Sequence, residues 1–468
     1  MKEKGYSQRL LPLLSLFVLL QPIIDVFTSF GTRSGHAITV GIVIRTAVMA
    51  CFFVYVVFFS KGPQRKLCVI YTLLITCYIG VFLGGALLKG GFYAAFGNFK
   101  EVIKTFYFNY ILVGLFSLYK QYGFTVSDRV LAGTNLLYTG IIFLAFATGS
   151  SYYTYPVNKL GYNGWFYAGN EIGVIISILS CISFICFFSG LVYRSKNKRE
   201  RYVYLGFSVI GILLILFCST FVGTKTVFIF IMGYLICAFL WNSIVWIKAK
   251  KKNNLRYALL LLLSCIVVTA SIQIAPIKQI VNDNIDFSQE DPAISPSIPV
   301  SPKPSNPSVE ENTIKSNQVY KILNKLLSNR LDYSFSSIEQ YMEGGIYHQL
   351  MGIGYEPLPN FQYDIKNAIE MDFISIFIRH GIIGLVLFVM PLFYLAVLIL
   401  LFLIRHFKQA ISSQRFCTYC YGILVSLAVS FLAGHILVAP AVSIYIAILI
   451  VGLFEMTESK EKRIKFNS

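Results

Sequence analysis

Apolar residues run along this chain in long blocks separated by polar joints. A helix that crosses a bilayer needs about 20 predominantly apolar residues. Twelve stretches fit: 10–29, 37–59, 67–88, 104–119, 131–149, 171–193, 202–221, 226–247, 257–276, 372–404, 417–437 and 441–456. Each predicts a helix, because lipid offers no partner to an open backbone N–H or C=O. The expected fold class is therefore an all-α polytopic membrane protein. It has about 12 transmembrane helices and one long extracellular loop before helix 10. The chain divides into helices one to nine (1–276), that loop (277–371), helices ten to twelve (372–456) and a tail (457–468).

Two joints stand out. Residues 150–170, SSYYTYPVNKLGYNGWFYAGN, are rich in aromatics and glycine. Within the long loop, 291–308 reads DPAISPSIPVSPKPSNPS, whose repeated prolines and few apolar residues predict an extended or disordered linker. Stretches 318–331 and 338–350 that follow have the pattern of short amphipathic helices. No transferable domain is evident, so the loop is expected to fold back over the membrane bundle.

Composition agrees with the pattern. The 468 residues are 56% hydrophobic and only 13% charged, with a mean hydropathy of +0.67. Soluble domains are about a quarter charged. The formal charge of +18 would suggest nucleic acid in a soluble protein. Here 25 of the 40 basic residues fall on alternate joints, including RSKNKRER (194–201) and KAKKKNNLR (248–256). That alternation assigns the basic side, with both termini, to the cytoplasm of a plasma membrane. No nucleic-acid partner is expected. The first block lacks a small-residue cleavage site and reads as the first span rather than a signal peptide. The ten cysteines lie in or beside apolar segments, so a disulfide framework is not expected. Cys417 and Cys420 form a CxxC with no second pair at metal spacing, and no metal site is expected.

Ionisable residues inside spans cost about 2.5–3.5 kcal/mol on insertion scales, so each needs a reason. Asp25 and Arg45 sit towards the outer ends of the first two spans, where they pair to fix helix packing or open a polar cavity. Arg379 and His380 lie about two turns into the tenth span, and His435 near the outer end of the eleventh. Lys225 occupies a tight outer turn, FVGTKT, which suits contact with a lipid-linked phosphate. Lys100 and Lys104 share a helix face and either snorkel to the interface or offer a second phosphate contact. Glu370 and Asp372 open the tenth span. They either complement its dipole or stand where a catalytic base acts.

Several segments together resemble a known family. They are LLQPIIDVFTSF (19–30), GIVIRTAV (41–48), NKLGYNGWFYAGNEIG (158–173), VGTKT (222–226), SNRLDYS (328–334), MGIGYE (351–356), IEMDFISIFIRHGIIG (369–384) and AGHILVAPAVSIY (433–445). Their order and the place of the long loop resemble the O-antigen ligase and Wzy-type polysaccharide polymerase superfamily, in the form found in Gram-positive capsule and exopolysaccharide loci. The resemblance implies inverting, metal-independent glycosyl transfer at the outer membrane face, without a cofactor. The implied donor is a glycan on undecaprenyl pyrophosphate, with a flippase and a chain-length regulator as expected partners. Arginines hold the pyrophosphate in such enzymes, which maps onto Arg45 and Arg330. Lys225, Arg379, Lys100, Lys104 and His435 join them as substrate-binding candidates. Many members carry a histidine after the loop. This chain offers Glu370 and Asp372 there, and these are the catalytic candidates.

Two other readings stay open. A ligase moving finished glycan to another acceptor needs the same donor site. A flippase or transporter fits the span count, but no internal repeat relates the two halves. A membrane-anchored receptor has little support, because the loop shows no foldable domain.

Overall fold

The computed structural model describes residues 2–36, 38–192, 198–250, 252–279, 338, 341–342, 345–355, 371–432 and 434–467. Helices account for nearly all of them. In chain order they are α1 (Lys2–Leu19), α2 (Gln21–Arg33), α3 (Val40–Val54), α4 (Arg65–Tyr122), α5 (Asp128–Ala147), α6 (Gly169–Val192), α7 (Lys198–Phe221), α8 (Lys225–Ala249), α9 (Lys252–Ser271), α10 (Gly345–Met351), α11 (Asp372–Ile411), α12 (Gln414–Leu432) and α13 (Pro440–Asn467). Eleven helical stretches are long and apolar enough to cross a membrane. A bent pair brings the number to twelve. The all-α polytopic fold expected from the apolar blocks is the fold observed.

The bent pair is the first expected span. It breaks at Leu20, and its halves meet at 52°. Pro22, in the first turn of α2, has no N–H to give the preceding turn, so the helix restarts there. The aromatic joint holds the two described strands, β1 (Tyr152–Tyr155) and β2 (Leu160–Gly164), paired antiparallel. Arg33 ties this hairpin to α2, with its guanidinium 3.7 Å above the Tyr152 ring and a 3.3 Å bond to the Phe166 carbonyl.

α4 is two spans in one hydrogen-bonded run. Gly91, at φ 71° and ψ −166°, reverses the chain between Arg65–Leu88 and Gly90–Tyr122. Few residues other than glycine adopt that backbone. The arms then pair side by side: Asn109 donates to the Tyr71 hydroxyl at 2.8 Å, and Thr76 meets the Tyr110 hydroxyl at 2.7 Å. The second arm, α6 and α13 are the central helices. Their apolar windows are 94%, 83% and 89% buried, against 17–44% for the other spans. Hydrophobicity all round is what a helix surrounded by helices requires. The peripheral helices present leucine, isoleucine and phenylalanine outward, which only lipid can cover.

α11 is broken near its start, and the break has a partner. Gly381 stands at φ 65° and ψ −172°. The disturbed ladder leaves the carbonyls of Ile378 and Arg379 to accept the N–H groups of Ile353 at 3.0 Å and Gly354 at 3.1 Å. The segment 352–354 thus completes the helix, and a Cβ on either Gly352 or Gly381 would overlap the facing backbone.

The eleventh expected span, 417–437, is corrected at its end. α12 stops at Leu432, so His435 lies in the irregular link before α13 rather than in a helix. The reason is remote in sequence. The Asp372 carboxylate accepts the N–H of Ile436 at 2.8 Å and of Leu437 at 2.7 Å, and these amides therefore need no helical carbonyl.

Candidate functional site

A cavity of about 380 Å³ opens at the end of the bundle that carries the β-hairpin. Its wall draws on α2, α3, the second arm of α4, the start of α6, Tyr355, α11 and the link before α13. Four permanent cations line it, Arg45, Lys100, Lys104 and Arg379, against three carboxylates, Asp25, Glu101 and Glu171. Such a surplus of fixed positive charge in a partly enclosed site favours an anionic ligand.

Arg45 is buried and held by two residues of α2. It pairs with Asp25 and donates to Gln21 at 3.0 Å. Asp25 also accepts the Tyr138 hydroxyl at 2.5 Å. The packing role and the cavity role weighed for this pair therefore coincide in geometry: the pair joins α2, α3 and α5 and faces the cavity. Lys104 bonds Glu101 at 2.9 Å within α4.

Arg379 is set by the α11 break. Its guanidinium lies 4.6 Å from the centroid of the Tyr355 ring. Tyr355 is fixed at three points: its N–H donates to Asn98 at 3.1 Å, and its hydroxyl meets Thr105 at 2.7 Å and His380 Nε2 at 2.9 Å. Burial pushes the Tyr355 phenol up to about 12, although the Arg379 charge pulls the other way. It therefore remains a neutral hydrogen-bonding group at neutral pH. His380 itself is fully buried among the rings of Tyr78, Phe82 and Phe106 and does not line the cavity.

His435 lines the cavity with its side chain 39% exposed. Its Nδ1 lies 3.5 Å from Asp372 Oδ1. Asp372 is fully buried and does not itself line the cavity. One of its oxygens is occupied by two backbone amides and the Ser430 hydroxyl at 2.5 Å. The other oxygen has no hydrogen bond among the described residues and faces the imidazole.

Several buried polar atoms on the wall also lack a hydrogen bond among the described residues: Ser29 Oγ, Thr39 Oγ1, Tyr107 Oη and Arg45 Nε. Buried polar groups are rarely left so, and a cluster of them fits a polar ligand or ordered water.

Of the residues singled out from the sequence, the cavity brings together Arg45, Lys100, Lys104, Arg379 and His435. Lys225 is exposed at the start of α8 and is not on the wall. Arg330 and Glu370 lie outside the described residues, as do the linker 291–308 and the stretch 318–331. Among the wall residues that the sequence does not single out are Glu171 and Tyr355. Both sit in segments that carried the resemblance, NEIG and MGIGYE.

The family described as O-antigen ligase like membrane protein matches residues 7–459. The chain belongs to this family. Comparison with curated proteins finds no match. Membership in the O-antigen ligase-like family supports ligation or polymerisation of glycans at a membrane in general, and an integral membrane protein acting on lipid-linked glycans.

Proposed function

We propose that the protein polymerises oligosaccharide repeat units carried on undecaprenyl pyrophosphate, by inverting glycosyl transfer without a metal, at the outer face of a plasma membrane. Arg45, Arg379, Lys100 and Lys104 hold the pyrophosphate. Lys225, off the cavity wall, and Arg330, outside the described residues, remain candidates for the same clamp. Arginine forks match phosphate oxygens and stabilise the charge that grows as the bond breaks.

The observation that carries the reading is His435 on the cationic cavity, backed by Asp372 at 3.5 Å. Catalytic pairs often stand this loosely before substrate closes the site. With Nδ1–H directed at Asp372, Nε2 takes the proton from the acceptor sugar hydroxyl. That oxygen attacks the anomeric carbon from the face opposite the pyrophosphate. The carbon–oxygen bond to phosphate breaks, and undecaprenyl pyrophosphate leaves with the electron pair. Because pyrophosphate is a good leaving group, one base suffices. Asp372 is thereby a positioning residue. Glu370, the other catalytic candidate, stays open beside it.

A second base is favoured by one observation. Glu171 lines the same wall and makes no hydrogen bond or ion pair among the described residues, whereas Asp25 and Glu101 are paired. The test is polymer formation from purified lipid-linked repeat units in nanodiscs. His435→Gln is expected to lower the rate by about two to four decades while donor binding survives. Glu171→Gln then lowers it by less than tenfold. The reverse order moves the base to Glu171. Wild-type rates in both variants and in Arg379→Ala overturn the site. A product containing one transferred glycan on a different acceptor identifies a ligase.

A further inference from the structure

At the opposite end of the bundle the ends of α4 lie beside α11 and α13 and leave two adjoining spaces. One, of about 290 Å³, has Lys120, Arg405, His406 and Glu458 on its wall. The other, of about 100 Å³, is wholly apolar, with Leu67, Val113, Phe116 and Pro391 among its lining. Tyr394 lines both, so the basic pocket and the apolar groove adjoin at this ring. We propose that this is a binding site for an anionic phospholipid, with its phosphate in the basic pocket and one acyl chain along the groove.

Three observations support it. First, the charges do not cancel. Lys120 bonds Glu458 at 2.8 Å, while Arg405 is exposed and makes no ion pair among the described residues. The wall is thus net positive before His406 is counted, which suits one phosphodiester. Second, α11 departs from helix at His406, at φ −131° and ψ 34°. The imidazole packs on the Phe402 ring at 5.2 Å on the pocket side. Third, the surrounding face is made for lipid: Leu67, Met390 and Leu401, which line the two spaces, are exposed apolar side chains. Basic pockets between membrane helices recognise anionic headgroups in this way. The occupant is set by the pairing of the two spaces. A free anion would leave the apolar groove empty, and a zwitterionic lipid would bring its own quaternary ammonium up to Lys120 and Arg405. The site shares no residue with the glycan cavity, so it stands whether or not the proposed transfer reaction is right.

The test uses the full chain purified in detergent and equilibrated with mixed vesicles of phosphatidylglycerol and phosphatidylcholine. Retained lipid is then counted by native mass spectrometry. The expected result is selective retention of one phosphatidylglycerol per chain. Arg405→Gln should weaken it about fivefold, the factor that goes with about 1 kcal/mol for one basic residue at a membrane surface. Val113→Trp, which fills the groove, should weaken it without changing salt dependence, and a thermal melt establishes that this variant folds. Equal retention of both lipids, or no effect of Arg405→Gln, overturns the proposal. So does displacement of phosphatidylglycerol by millimolar inorganic phosphate, which would mean that the groove contributes nothing. Retention of undecaprenyl phosphate in place of phosphatidylglycerol, when both are offered equally, also overturns it.

Discussion

Arg45 shows how one side chain serves packing and chemistry together. Its charge is neutralised by Asp25, and the pair joins three helices. Removing one partner of a buried pair leaves the other charge stranded, at about 3–5 kcal/mol. Asp25→Asn is therefore expected to lower thermal stability sharply. Adding Arg45→Gln should recover most of that loss, because no bare charge remains, yet transfer should stay defective without the cation. Size-exclusion melts and transfer assays on the single and double variants separate the two roles. A double variant with wild-type activity would make Arg45 a packing residue only. Asp372 invites a related measurement. Asp372→Asn keeps the shape, and its one carbonyl oxygen can still accept the Ile436 and Leu437 amides, but an NH2 replaces the oxygen that faces His435. Turnover is expected to fall by about two decades, with KM little changed. An unchanged turnover with a lowered melting temperature would leave Asp372 a cap and nothing more.

At the scale of elements, the broken start of α11 positions the site. The carbonyls freed by the break hold residues 352–354, and Tyr355 then reaches Asn98, Thr105, His380 and Arg379. A graded series tests this. Gly381→Ala combines a positive φ with a Cβ against the Leu350 carbonyl, and is expected to cost more than the roughly 1–2 kcal/mol of a left-handed residue. Gly354→Ala, at φ 77° with Asn98 Oδ1 at 3.1 Å, should be milder. Gly84→Ala meets open space within α4 and should be neutral. Protein yield and transfer rate should fall in that order, and a damaging Gly84→Ala would discredit the series. The spans themselves were legible because lipid demands long apolar helices whatever they pack against. Pro22 was visible too, but not that its span would bend. The end of α12 was not legible, because hydropathy cannot register a carboxylate 64 residues away capturing two amides. Lys225 looked poised from its turn alone, and the turn does not reach the cavity wall. Glu171 carries no site signal in the sequence, because an acid in the first turn of a helix has an electrostatic reason to be there.

For the whole molecule, both ends carry clustered cations, and orientation decides what each can meet. The cavity with Arg45, Lys104 and Arg379 opens at the hairpin end. Lys120, Arg405 and the basic joint around 248–256 lie at the other. Short basic joints resist translocation, so the second end is expected in the cytoplasm, and the cavity then faces outward. The chain leaves α9 and enters α11 at the cavity end, so a tag at position 300, which lies between them in sequence, is expected to report on that side. Single cysteines or epitope tags at 196, 250 and 300 test this in intact cells with a membrane-impermeant reagent. Tags at 196 and 250 should be shielded, and one at 300 should react. Deleting 291–308 should leave some polymer synthesis, since a stretch so poor in apolar residues cannot bury enough surface to fold. Complete loss of synthesis at normal protein levels would instead make that stretch part of the site. A shielded tag at 300 would turn the cavity towards the cytoplasm. The lipid-linked donor would then have to be consumed before it crossed the membrane, and polymerisation at the outer face would be excluded on geometry alone.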